Sequence, residues 1–103
     1  MRQISTTVEF DDIIDFFCNR KGVCKDSLFG DSIKTVDCTT RYMIWHYFHC
    51  ELKISIGKIA HKFNRSRNTV FRGVRMMRNH IRLYKDIRAE YEGLVNELKG
   101  MPD

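Results

Sequence analysis

Arginine and asparagine side chains recur between residues 67 and 82, and their types could support binding chemistry. The set is Arg67, Asn68, Arg72, Arg75, Arg78, Asn79 and Arg82. A guanidinium can bridge two acceptors on a guanine edge, and a carboxamide can bridge the donor and the acceptor of an adenine edge. Both groups also bind phosphate oxygens. This composition therefore indicates chemistry suited to the bases and backbone of a nucleic acid.

Apolar residues are interspersed with this polar set at the period of an α-helix. They lie four, three, four and three residues apart, at Val70, Val74, Met77, Ile81 and Tyr84. Such spacing places them along one side of a helix and leaves the arginines and asparagines on the other. The pattern predicts a helix over residues 67–84 with one side in the core and a basic side in solvent.

Positive charge is concentrated in the same part of the chain. Residues 41–88 hold twelve basic and two acidic side chains, net +10, whereas residues 1–40 and 89–103 are net −2 and −3. This concentration attracts polyanions and supplies the phosphate-neutralising contribution that dominates nucleic-acid affinity. A basic pair of helices that is merely well solvated is the alternative interpretation.

A short helix and a tight turn precede the basic helix. Ser55 is placed to cap an amphipathic helix over residues 56–63, and Ser66 is placed to cap the next one. Two helices joined by about three residues are the arrangement with which helix-turn-helix proteins insert their second helix into the major groove. Gly73 costs about 1 kcal/mol relative to alanine in a helix interior. We therefore expect another helix, the short one before the turn, to approach it closely; a kink at Gly73 is the alternative.

The rest of the chain is also predicted to be helical. The spacing of Thr6 and Glu9 predicts a capping box on a first helix, followed by a short helix over 25–29 and a loop over 30–38. A long, mostly apolar helix that begins at Thr39 or Thr40 reads as the buried central one. A last helix over 86–98 is predicted to pack as a lid away from the basic side. Together these elements predict one all-α domain over residues 1–103, a compact bundle of five to six helices.

The stretch SIGKIAHKFNRSRNTV, residues 55–70, resembles a known family motif. The motif is S-L-x-x-I-G-x-x-F-G-G-R-D-H-T-T-V, from the carboxy-terminal DNA-binding domain of the bacterial chromosomal replication initiator DnaA; this chain has one residue fewer at the glycine pair. Arg41 falls where the family has the arginine that opens its long buried helix. The resemblance spans roughly residues 5–98.

The resemblance implies a Trp-repressor-like helix-turn-helix that binds duplex DNA in a sequence-specific manner. By position, Arg41 and Arg65 would hold phosphates, and Lys34 is the basic residue of the 30–38 loop that would reach the minor groove. The residues aligned with the family's base-reading Asp-His-Thr-Thr are Ser66, Arg67, Asn68 and Thr69. Three of these four differ, so the family's preferred DNA sequence does not transfer. Arg72 and Arg75 extend the predicted DNA-binding set along the helix.

Other activities find little support in the residues. The initiator's nucleotide-binding motif GxxxxGK[ST] does not occur. No nucleophile with an adjacent base and no pair of catalytic carboxylates is evident, so we expect no enzyme activity and no small-molecule substrate. The acidic cluster Asp11, Asp12 and Asp15 fits the first turns of a helix, where the helix dipole favours negative charge.

Metal, disulfide and membrane roles are not expected either. His46, His49 and Cys50 are of metal-ligand type, but no paired ligands elsewhere would complete a zinc site. The four cysteines are irregularly spaced, which indicates reduced thiols. No apolar run approaches the roughly 18 residues of a membrane span, and the start of the chain lacks a secretory leader. We expect a cytoplasmic protein without a cofactor.

Two further binding roles remain open at this stage. A protein-interaction module would use the basic side to bind an acidic partner or to form an oligomer. An RNA-binding protein would track an A-form backbone, although the deep, narrow groove of RNA is harder to read directly. Duplex DNA is the leading expectation, with a role in replication, in transcription control or in the maintenance of a mobile element.

Overall fold

Six helices make up the part of the chain that the structure describes. The structure is a computed structural model that describes residues 6–30 and 34–100, with side chains from residue 10 onward. The helices are α1 (Thr6–Lys21), α2 (Lys25–Phe29), α3 (Thr35–His46), α4 (Ile56–Phe63), α5 (Arg67–Leu83) and α6 (Lys85–Lys99). A π-helical turn, Tyr47–Glu51, continues α3. No strand occurs within these described residues, so the predicted all-α bundle of five to six helices is confirmed.

Helix α3 is the centre of the bundle. It packs against α1, α2 and α5, and Met43, Ile44 and Trp45 are completely buried. A helix that is apolar around most of its circumference can only be stable when neighbours cover every side. The sequence prediction of a buried central helix is confirmed.

The start of α3 differs from the prediction. The helix begins at Thr35, within the stretch predicted as a loop, rather than at Thr39 or Thr40. Thr40 does not cap the helix, because its hydroxyl donates to the carbonyl of Val36 at 2.7 Å, a bond made by threonines inside helices. Asp37 lies in the first turn, where a carboxylate is favoured by the helix dipole. These interactions extend α3 by one turn.

Helices α3 and α5 lie very close together at Gly73. A Cβ atom built on Gly73 would lie 2.6 Å from the ring of Trp45 and 2.9 Å from that of Tyr42. The predicted close approach is therefore confirmed, but the neighbour is α3 and not α4. Because Trp45 is completely buried, its ring has no open space into which it could retreat.

Helices α1 and α6 pack together in another part of the bundle, and α6 also packs against α5. Tyr91, Leu94 and Val95 of α6 are buried in the same core cluster as Ile14 and Phe17 of α1. Two ion pairs, Arg20 with Glu97 and Lys21 with Glu90, join the exposed edges of the two helices. The amphipathic stripe predicted for the last helix thus packs into the core. The capping box predicted at Thr6 and Glu9 involves side chains outside the described ones.

Candidate nucleic-acid interface

Two serines start the helices α4 and α5 and fix the turn between them. The hydroxyl of Ser55 accepts a hydrogen bond from the amide of Lys58 at 3.2 Å, and that of Ser66 accepts one from the amide of Thr69 at 3.1 Å. Asn64, at the C-cap of α4, adopts a left-handed conformation (φ 54°, ψ 48°) that reverses the chain. The predicted caps are confirmed, and three residues, 64–66, connect the two helices.

Helix α5 has a buried side and an exposed side, as predicted, but it ends at Leu83, and Tyr84, which was predicted for the buried side, is 50% exposed. Val70, Val74 and Met77 are buried. Seven polar side chains of α5 are exposed. Apart from Thr69, which takes part in the helix cap, we call them the cationic face: Arg67, Asn68, Arg72, Arg75, Arg78 and Arg82. The structure therefore brings together four of the predicted site residues on one surface of a single helix, namely Arg67, Asn68, Arg72 and Arg75.

The arginines of the cationic face lack counter-charges among the described side chains, unlike several basic groups elsewhere. Among the side chains of residues 10–30 and 34–100, no carboxylate forms an ion pair with Arg67, Arg72 or Arg75. Basic residues elsewhere do have acidic partners, such as Lys25 with Asp15 at 2.8 Å and Lys62 with Asp11 at 2.9 Å. Uncompensated guanidinium groups side by side repel one another, so the face creates a positive potential available to an external anion.

Arg67 is held at the start of α4. A Cβ on Gly57 would lie 3.2 Å from its Nε, so the absence of a side chain at Gly57 lets the guanidinium rest against the backbone. Lys58 and His61 line the same cavity of about 510 Å³. The exposed amides at a helix N-terminus and nearby cations both favour an anion. This arrangement suits a phosphate at the start of α4, and the base contact that the sequence predicted for Arg67 stays a prediction.

Arg41 does not reach the surface. Only 6% of the residue is exposed, and its guanidinium donates to the carbonyls of Ser27 at 3.2 Å and Leu28 at 2.9 Å. These carbonyls lie in the last turn of α2, where a helix leaves acceptors without partners. The predicted phosphate contact of Arg41 is therefore contradicted by its burial, and the side chain instead anchors α2 to α3.

Arg65 and Lys34 also lie away from the cationic face. Arg65, in the turn, is half-buried and donates from Nη2 to the carbonyl of Gly30, an acceptor that Arg41 also approaches at 3.4 Å. This shared oxygen connects the turn to the end of α2. Lys34 is exposed at the N-cap of α3. Residues 31–33 of the predicted minor-groove loop lie outside the described residues.

The side chains of Ser66 and Thr69 take part in the N-terminal cap of α5. Besides accepting from the amide, the Ser66 hydroxyl lies 2.8 Å from that of Thr69. Both residues are exposed, but their hydroxyls already have partners in the cap. Of the four residues aligned with the family's base-reading positions, Asn68 alone is exposed with neither a capping role nor a place beside α4.

The histidine and cysteine cluster has internal partners. Nδ1 of His46 lies 2.8 Å from the hydroxyl of Tyr91, and Nδ1 of His49 lies 2.8 Å from the carbonyl oxygen of Ile54. Burial, aided by the charge of Arg78, lowers the pKa of His46 to about 4. Burial also raises the pKa of Tyr91, which keeps its hydroxyl protonated. In the described ranges, no three ligand-type side chains converge on a metal position.

Two residues important to this surface were missed by the sequence analysis. Gly57 matters because the Arg67 guanidinium packs on it, and nothing in the residue spacing predicts that contact. Phe71 is 51% exposed in the second turn of α5. Its signal was present, because position 71 falls outside the apolar stripe of Val70, Val74 and Met77 and is nevertheless aromatic.

Sequence comparison with known proteins identifies no relative. No protein-family profile matches the chain, and no curated protein matches its sequence. The likeness to the replication-initiator domain therefore remains a prediction from the motif. Among the described helices, none is long and apolar enough to span a membrane.

Proposed function

We propose that this chain binds duplex DNA in a sequence-specific manner, without catalysis, by placing the first turns of α5 in the major groove. The observation that carries the proposal is the cationic face, a set of exposed guanidinium and carboxamide groups without acidic partners among the described residues. A helix fits the major groove, and its N-terminal residues make the base contacts in helix-turn-helix proteins. The three-residue turn after α4 supports the same docking.

The side chains divide into two roles under this proposal. Asn68 and Arg72 are exposed in the first two turns and carry the groups that distinguish adenine and guanine edges. Arg67, beside Gly57 and Lys58, binds a backbone phosphate together with the N-terminus of α4. Arg75 adds a phosphate contact further along the helix. Arg41 has no contact with DNA and acts by holding the bundle together.

The relation to the DnaA family is proposed on the same basis. The motif around residues 55–70 and the buried helix that contains Arg41 fit a reading domain of that type. The altered residues at positions 66–68 imply a different preferred site. A role in the cytoplasm, near the chromosome or a mobile element, follows from the same proposal.

Electrophoretic mobility shifts with random duplex DNA at two salt concentrations test the proposal. We expect the wild type to bind, with an affinity that falls steeply as salt rises because bound counterions are released. A combined Arg67→Ala, Asn68→Ala and Arg72→Ala variant should lose about 100-fold or more, since each such contact contributes about 1 to 3 kcal/mol.

The matched control removes two positive charges elsewhere. Arg20→Ala with Lys99→Ala changes net charge by the same amount as the triple variant, at residues that pair with Glu97 and Glu51. Its affinity should stay close to that of the wild type. Equal binding by the triple variant and the wild type would overturn the proposal. Binding to polyanionic protein that duplex DNA cannot displace would favour the protein-interaction alternative.

A further inference from the structure

Phe71 is an exposed aromatic residue in the middle of a basic surface. It is 51% exposed, whereas Val70 and Val74 on either side of it in sequence are buried. On a helix its neighbours are the residues three and four positions away, here the exposed Arg67, Asn68 and Arg75 and the buried Val74. A phenyl ring left in water among arginines gains little from folding, because little of its apolar surface is buried. Its position indicates a contact with a partner outside the chain.

We propose that Phe71 is a specificity-determining residue that packs against the C5-methyl group of a thymine in the bound duplex. This inference rests on the proposed function and adds the class of base recognised. The thymine methyl is the apolar group that base pairs display in the major groove, and phenylalanine is among the side chains that contact it. Asn68 and Arg72 read polar edges beside it. The preferred site thus contains a thymine next to the bases read by these two residues.

The surrounding charge argues against a second copy of the chain as the partner of Phe71. Two cationic faces brought together would place Arg67, Arg72 and Arg75 opposite like charges, and like-charge contacts across an interface cost several kcal/mol. A polyanion with apolar groups recessed between its phosphates matches the pattern instead. Duplex DNA has this pattern in its major groove.

Met76 provides a matched control on the same helix. It is 43% exposed and apolar, and it lies five residues after Phe71. At about 3.6 residues per turn, five residues rotate a side chain by roughly 140° around the helix. Met76 is therefore on a different edge of α5, so both substitutions remove apolar area while only one alters the proposed contact.

The experiment is a double-mutant cycle, in which the Phe71 side chain and the thymine methyl group are removed singly and together. Duplexes bound by the wild-type protein are selected from a random pool, and each thymine of the selected site is replaced in turn by deoxyuridine. That change removes the methyl group and keeps base pairing. We expect one replacement to weaken wild-type binding about three- to fivefold, the scale of one buried methyl group. The same replacement should leave binding by Phe71→Ala unchanged.

The controls separate this inference from the proposed function. Met76→Ala should keep the full effect of deoxyuridine, and Phe71→Leu should keep part of it. Thermal melting of Phe71→Ala should match the wild type, because the ring is exposed. Equal deoxyuridine effects in wild type and Phe71→Ala, or a selected site without thymine, would overturn the role of Phe71 while DNA binding stands. Failure of the wild type to select any duplex would overturn both proposals.

Discussion

The two sides of this bundle treat positive charge in opposite ways. Along α1 and α6, Arg20 and Lys21 each pair with a glutamate, and these ion pairs join the two helices. Along α5, Arg67, Arg72 and Arg75 have no carboxylate partner within the described ranges. Basic residues alone therefore do not mark a binding surface. The distinguishing feature is whether the fold supplies the counter-charge itself or leaves it to a partner.

Packing differs between the two sides as well. Beneath the cationic face, α5 lies directly on the Trp45 and Tyr42 rings at Gly73. On α6, Gly93 has no atom within 4 Å of where its Cβ would be. The surface proposed to bind DNA thus stands on a rigid contact, which keeps exposed side chains in register with one another. Gly93 has space for a side chain.

The glycine pair should give the largest difference in stability. Gly73→Ala places a methyl group inside the contact distance of two aromatic rings and should lower the free energy of unfolding by about 1 to 3 kcal/mol. Gly93→Ala should raise it by up to about 1 kcal/mol, because alanine favours the helix and meets no neighbour. Urea unfolding midpoints measure both changes. A stabilised Gly73→Ala would show that α3 and α5 do not approach as closely as described.

The buried His46 should make the α3 to α6 contact sensitive to acid. Its pKa is lowered to about 4 in the folded state from 6.5, so the unfolded chain binds the proton first. Keeping His46 neutral costs the folded protein no stability above about pH 6.5. Below that pH the unfolded chain binds a proton that the folded protein does not, so the free energy of unfolding falls as the pH approaches 4. From pH 7 to pH 5 we expect a loss of about 2 kcal/mol.

Urea unfolding at both pH values tests this expectation against two variants. His46→Gln should lose less stability than the wild type over this range, whereas the exposed His61→Gln should follow the wild-type profile. Asp11 does not interfere, because its hydrogen bond with Lys62 lowers its pKa from 3.8 and its contribution is lost only at lower pH. Identical profiles for wild type and His46→Gln would show that His46 does not set the acid response.

Substitutions of single basic residues should have the smallest effects. Which property changes, stability or DNA affinity, should depend on the side of the bundle that carries the residue. Lys21→Gln breaks a partly exposed ion pair and should reduce stability by about 0.2 to 1 kcal/mol with no change in DNA affinity. Arg75→Gln should leave stability within about 0.5 kcal/mol and reduce the slope of log affinity against log salt by about one. Unfolding and salt-titrated mobility shifts provide the measurements. A salt slope unchanged in Arg75→Gln would remove Arg75 from the interface.

Much of this fold could be predicted because its determinants are local in sequence. Ser55 and Ser66 cap helices three residues ahead of the amides they bind, and such short-range bonds are visible in the order of the residues. The exposed side of α5 followed from a helical period in the apolar residues. Boundaries were less predictable, since Thr40 is equally suited to a cap and to a bond one turn back along the helix.

The errors concern contacts between residues distant in sequence. Arg41 is charged, and charge alone favours the surface, but the open carbonyls at the end of α2 provide enough acceptors to bury it. Gly73 signalled a close approach without specifying the neighbour. Both outcomes depend on which helices meet, and amphipathic patterns identify buried sides without saying what covers them.

The oxygen of Gly30 has a consequence for how α5 is presented. It accepts from Arg65 in the turn and is approached by Arg41 of the central helix, so a single peptide group ties three separate segments together. Any residue could supply that oxygen, although a Cβ at this position would lie 2.9 Å from the carbonyl oxygen of Asp26. Helices α4 and α5 are therefore not a portable module. Separated from the first third of the protein, they would lose the hydrogen bond that fixes the turn between them.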